Sequence, residues 1–103
     1  MVMSRKKSDF FKYSGSVASR QIGDETLLVP IDKKSGQKHS IYTLNSTASF
    51  LWSLLQTEKS VEELVIAVTT EFNIDQEIAA TDTVVFIDDL LDFNAIMKVN
   101  DHI

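Results

Sequence analysis

The 103-residue chain contains no cysteine, one proline and three glycines. Without cysteine there are no disulfides, no thiolate nucleophile and no iron–sulfur ligation. No run of about eighteen apolar residues occurs, so no segment is suited to crossing a membrane. Met1 to Lys7 is basic, but Asp9 to Tyr13 supplies neither an apolar run nor a small-residue cleavage site, and the start does not read as a signal peptide. A cytoplasmic location is the expectation that follows. Histidine occurs twice, at His39 and His102, with no His-x-x-x-His spacing, which argues against a zinc site. There is no glycine-rich phosphate loop and no nucleophile elbow. Asp88, Asp89 and Asp92 crowd one predicted helix, but adjacent helical residues point about 100° apart, and such a run usually makes a solvated acidic face. The expectation is a chain that is not an enzyme and uses no metal or cofactor.

What is present is a core's worth of apolar residues, 44% of the chain, enough for one thin-cored domain. The net charge of −5 is unevenly distributed. Residues 1–40 carry eight Lys and Arg against four carboxylates, a net +4; residues 41–103 carry two Lys against eleven carboxylates, a net −9. Such segregation points to a basic partner, or to a face that repels acidic ones.

Residues 1–15 lack periodicity and close on Ser14-Gly15, so a flexible lead-in is expected ahead of a domain over 16–103. Strand-like runs then occupy Val17 to Ile22, Thr26 to Ile31 and Lys38 to Leu44, the first two separated by the turn dipeptide Gly23-Asp24. Pro30 belongs near a strand end, where its missing N–H is not needed. Short links between successive strands predict an antiparallel meander. After Leu44 the period becomes helical. Asn45 or Ser46 caps a helix burying Ala48, Leu51, Trp52, Leu54 and Leu55, with Phe50 on its flank. Ser60 and Glu63 form a capping box for a second helix burying Val61, Leu64, Val65, Val68 and Phe72 and ending at Asn73. The third runs from about Glu77 to Phe93, and Asn94 stands where a left-handed C-cap residue is expected. Ile96, Met97 and Val99 form an apolar tail expected to pack back on the core. Strands followed by helices place the chain in the α+β class.

The pattern of Leu44-Asn45, Ala48, Leu51-Trp52 and Leu54-Leu55 continues through Ser60-Val61-Glu62-Glu63-Leu64 and Phe72 to Asp82-Thr83, Phe86-Ile87 and Leu90. In this ordered spacing the chain resembles the PqqD family, the precursor-peptide recognition elements of ribosomally synthesised peptide pathways. The similarity runs from about Val17 to Ile96. Arg20-Gln21-Ile22-Gly23-Asp24-Glu25 and Leu28 fit the family's first hairpin. Two positions depart from the pattern: Thr57 and Asn94 stand where the family often has glycine. The resemblance implies a winged helix-turn-helix-like fold, a three-stranded antiparallel sheet followed by three helices. It also implies capture of the leader segment of a precursor peptide by strand addition and its presentation to a modifying enzyme, often a radical SAM protein.

The third strand of a meander is an edge with unpaired backbone groups, so His39, Ser40, Ile41, Tyr42 and Thr43 are the candidate backbone template. On the third helix, Phe86, Ile87 and Leu90 are core, while Ala80, Val84 and Leu91 form a second apolar stripe bordered by Asp88. That stripe and Asp88 complete the candidate peptide site. The plainer reading is that the stripe packs against the lead-in or the tail. Trp52, within a helical apolar pattern, is read as core.

A DNA-binding winged-helix regulator is the alternative from another class, since fold does not fix function. A homo-oligomer joined through its strand edges is a third. Charge separates the first two, because Ser60 to Asn94 carries nine carboxylates and no Lys or Arg with which to neutralise phosphate. Duplex DNA should therefore show no retardation by this protein in a gel-shift assay at low ionic strength. Salt-sensitive micromolar binding would reverse that ranking.

Overall fold

The computed structural model describes residues 8–31 and 41–99. The elements run β1 (Phe10–Tyr13), β2 (Val17–Ile22), β3 (Glu25–Pro30), β4 (Tyr42–Leu44), α1 (Ser46–Leu54), β5 (Lys59–Ser60), α2 (Val61–Phe72), α3 (Gln76–Asp92) and β6 (Ile96–Val99). The class is α+β, with antiparallel sheets and three helices among the described residues.

The expected meander is one of the sheets, in the order β2-β3-β4. Gly23 opens its first turn at φ 65°, and the register pairs Ile22 with Glu25, leaving a two-residue loop. A positive φ at the first loop position is where such turns favour glycine. Pro30 sits at the last position of β3, as its missing N–H requires. Of the expected third strand, Tyr42 to Leu44 form β4; Lys38, His39 and Ser40 lie outside the described residues.

The other sheet was not anticipated. Its order is β5-β1-β6, with Phe11 opposite Lys59 on one side and Lys98 on the other. The lead-in expected to be loose through residue 15 is therefore structured from Phe10 onward. Phe11 is fully buried, Tyr13 donates its hydroxyl hydrogen to the Val17 carbonyl at 2.6 Å, and the Tyr13 backbone N–H reaches the Leu55 carbonyl at 2.7 Å. The reason this escaped the sequence is distance along the chain. A four-residue strand has little periodicity of its own, and its partners lie after α1 and after α3. The apolar tail does pack back, as β6, with Ile96 buried opposite Tyr13.

The helices begin and end where local chemistry directs. The Asn45 side chain accepts from the Ala48 N–H at 2.9 Å. Ser60 and Glu63 make both bonds of the capping box, at 2.9 and 3.0 Å. Asn73 (φ 54°) and Asn94 (φ 62°) adopt the left-handed conformation after α2 and α3. Past α3, the Ala95 N–H bonds the Leu90 carbonyl at 2.8 Å and the Asn94 N–H bonds the Leu91 carbonyl at 3.0 Å, the paired bonds of a Schellman motif.

One core joins both sheets to the helices. It includes Phe11, Val17, Leu28, Leu44, Leu51, Leu64, Ile87 and Leu90. Trp52 is buried in it, edge-on to Tyr13 with ring centroids 5.4 Å apart. Truncating Phe11 tests the central role of β1. Phe11→Ala should lower unfolding free energy by about 3–5 kcal/mol, the usual cost of emptying a large aromatic site. Urea denaturation measures it; a change lost in the noise would mean that β1 is not part of the cooperative core.

Candidate functional site

Among the described residues, strand β4 lies at the end of its sheet, bonded to β3 on one side only. Alternation along it buries Leu44 and directs Tyr42 inward, half-buried, while Ile41 and Thr43 are exposed. Tyr42 reaches the end of α3. Its hydroxyl donates to Asp89 Oδ2 at 3.1 Å, and its ring lies 5.5 Å from that of Phe93 at 51°. Between them opens a cavity of about 440 Å³ lined by Ile41, Tyr42, Asp89, Asp92 and Phe93. The Tyr42 phenol is pushed above its ordinary value by burial first, then by the Asp89 charge and the hydrogen bond to it.

The flank of α3 beside β4 is thus the Asp89 flank. At 100° per residue, Ile78, Asp82 and Val85 fall within about 40° of Asp89. All four are exposed, Ile78 at 55% and Val85 at 52%, unusual for large aliphatic side chains on one helix face.

The expected stripe is elsewhere. Ala80, Val84 and Leu91 lie at least about 140° around the helix from Asp89. They are half-buried and pack against the core. Asp88 is half-buried too and borders that stripe, about 100° from Asp89. The structure therefore brings Ile41, Tyr42 and Thr43 to the α3 flank carrying Asp89, and does not bring them together with Ala80, Val84, Asp88 and Leu91. Periodicity fixed the buried arc of α3 but not which flank met the sheet. Asp89, Asp92 and Phe93, which line the cavity, and the exposed Val85 in phase with Asp89 were not among the expected residues. The signal that pointed to them was Ile78 and Val85, apolar residues in phase with acidic ones.

A larger concavity, about 640 Å³, lies beside the opposite edge of the sheet. Ser19, Gln21, Ser46 and Ser53 contribute to its polar walls, and Phe50 and Phe72, edge-on at 5.5 Å, contribute to its floor. It is lined by residues of the other edge strand, β2, and of α1, and volume alone does not make it the better site. Among the described residues, no group of three or more His, Asp or Glu is placed to hold a metal ion, and no helix is long and apolar enough to cross a membrane.

Comparison with known proteins is consistent with this geometry. The family model of Coenzyme PQQ synthesis protein D (PqqD) matches residues 25–96. The chain belongs to the PqqD family. The match starts at the β3 end of the first hairpin and ends as β6 begins, so it spans β4, all three helices and the cavity between Tyr42 and Phe93. A solved structure of TbiB1 in complex with the TbiA(beta) leader peptide is 29% identical. It superposes with a TM-score of 0.71 over 87% of this chain and 99% of that one. No curated protein matches the chain significantly. Of the departures from the family pattern, Asn94 takes the left-handed φ that glycine would take, so the exit from α3 is kept.

The Tyr42–Asp89 bond can be read out spectroscopically. Because the phenol is raised, its protonated form stabilises the fold below its ordinary value of about 10, and that contribution is lost as pH rises through the raised value. In an ultraviolet tyrosinate titration, Tyr42→Phe should remove a component titrating above the ordinary tyrosine value, and should cost about 1 kcal/mol of stability at neutral pH. Loss of a component at or below the ordinary value instead would show that the Tyr42–Asp89 bond is not formed.

Proposed function

We propose that this PqqD-family chain is a peptide-binding module that captures the leader segment of a ribosomally made precursor and presents it to a modifying enzyme. The leader adds as a strand on β4, its backbone pairing with the open edge at Ile41 to Thr43. Alternate side chains then rest against the Ile78, Val85 and Asp89 face of α3. The observation that carries the reading is an unpaired strand edge beside an exposed, partly apolar helix face, in a chain similar to a protein solved with a leader peptide. Strand addition draws affinity from main-chain bonds and specificity from pockets for alternate side chains, and this groove offers both. The chain acts by binding and catalyses nothing itself. The fold is read as a winged helix-turn-helix turned to peptide recognition in the cytoplasm, with a radical SAM protein as the enzyme served. The α3 face beside β4 carries no cation, so nothing favours the DNA-binding alternative.

The test takes the leader region of a short open reading frame found beside this chain's gene, made as a synthetic peptide and titrated by fluorescence anisotropy. Val85→Arg places a bulky charge in the groove at a site already exposed. Binding should weaken at least about tenfold while the melting temperature barely moves. Val84→Asp does not serve, because Val84 packs on the core and its loss would disturb the fold. Equal affinities for wild type and a folded Val85→Arg would place the groove elsewhere.

A further inference from the structure

The cavity at the end of α3 has a chemistry that strand addition alone does not use. Two aromatic rings, Tyr42 and Phe93, stand 5.5 Å apart beside two carboxylates, Asp89 and Asp92, with Ile41 59% exposed at the mouth. No ion pair to Asp89 or Asp92 forms among the described residues, where the Asp9–Lys98 contact at 3.6 Å lies in the other sheet. The cavity is also at the C-terminus of a 17-residue helix with no basic residue in its last turn. The negative end of the helix dipole there is uncompensated by any side chain of its own, and favours a cation.

We infer that this pocket receives a lysine or arginine side chain of the peptide strand added to β4. The inference rests on the peptide-binding reading and narrows it. The captured peptides are extended segments carrying a basic residue at one fixed position. The aliphatic stem of that residue lies along Ile41 and the rings, and its head reaches the carboxylates. A cation is attracted to the face of an aromatic ring and to an exposed carboxylate, each contact modest by itself. Apolar side chains of appropriate size can enter the same space, but they would strand no charge and gain nothing from Asp89, Asp92 or the helix end. The charge is what discriminates.

The experiment selects a displayed library of random linear peptides against the wild-type protein and against the double variant Asp89→Asn/Asp92→Asn. Asparagine at 89 keeps an acceptor for the Tyr42 hydroxyl, so the groove holds its shape while its charge is removed. Thermal melts verify that both proteins are folded. Wild type should enrich peptides with Lys or Arg at a fixed position, and the double variant should lose that preference. For the leading wild-type peptide, exchanging the basic residue for norleucine should weaken binding about tenfold in wild type and hardly at all in the double variant. Peptides that bind wild type without a basic position, or whose basic position matters equally in both proteins, would overturn this inference and leave the peptide-binding reading standing. Failure to enrich any peptide would remove the peptide-binding reading and this one with it, and binders indifferent to Val85→Arg would place the groove elsewhere and overturn this inference.

Discussion

The groove depends on how α3 stops. Asn94 turns left-handed at φ 62°, the two Schellman bonds close the last turn, and Ala95 is buried as the chain reverses into β6. β1 then fixes that reversal from outside the helix. The Ser14 hydroxyl donates to the Asn94 carbonyl at 2.7 Å, the Ser14 N–H donates to the Ala95 carbonyl at 3.0 Å, and β6 pairs along β1. A left-handed non-glycine residue costs on the order of 1 kcal/mol, which these hydrogen bonds offset. Were α3 to continue for another turn, Phe93 would no longer stand at the helix end against Tyr42. The cavity is made by a helix terminus, and the terminus is held by a strand from the far end of the chain.

This dependence explains what could be read from the sequence and what could not. Helix boundaries rest on neighbours three or four residues apart, so Asn45, the Ser60–Glu63 pair, Asn73 and Asn94 announce them locally. β1 and β5 are four and two residues long, and their meaning lies in partners elsewhere in the chain. Phe10-Phe11 carried the only hint, two aromatic residues in a segment otherwise polar. The β2-β3-β4 meander was legible because Gly23-Asp24 marks its turn and its partners are adjacent in sequence.

The flank of α3 is a subtler case. A helical wheel gives the angular width of the apolar arc, and the core residues Ala79, Thr83, Phe86, Ile87 and Leu90 all fall within it. On either side of that arc the wheel is symmetric. Ala80, Val84 and Leu91 made the tidier apolar stripe, but tidiness is what a helix needs to pack on its own core. Ile78 and Val85 interrupt an acidic face, and being exposed they bring little packing return. Residues that break the pattern on the wet side of a helix deserve more functional weight than residues that complete it on the dry side.

The sheet has two edges, and the physical difference between them argues for β4. β2 is the longer, six residues with all but Val17 exposed. An added strand there would exchange hydrogen bonds to water for hydrogen bonds to protein, a net gain of about 0.5–1.5 kcal/mol each, set against the entropy of ordering the peptide. Beside β2 the concavity mixes the hydroxyl and amide groups of Ser19, Gln21, Ser46 and Ser53 with the rings of Phe50, Trp52 and Phe72. Beside β4 the same backbone bonds come with Ile41, Val85 and the rings of Tyr42 and Phe93, surfaces that gain from leaving water. There the strand edge, two aromatic rings and two carboxylates meet in one cavity. The acidic half of the chain adds to this: the field of its carboxylates, screened beyond about 8 Å at physiological salt, favours basic ligands over polyanions.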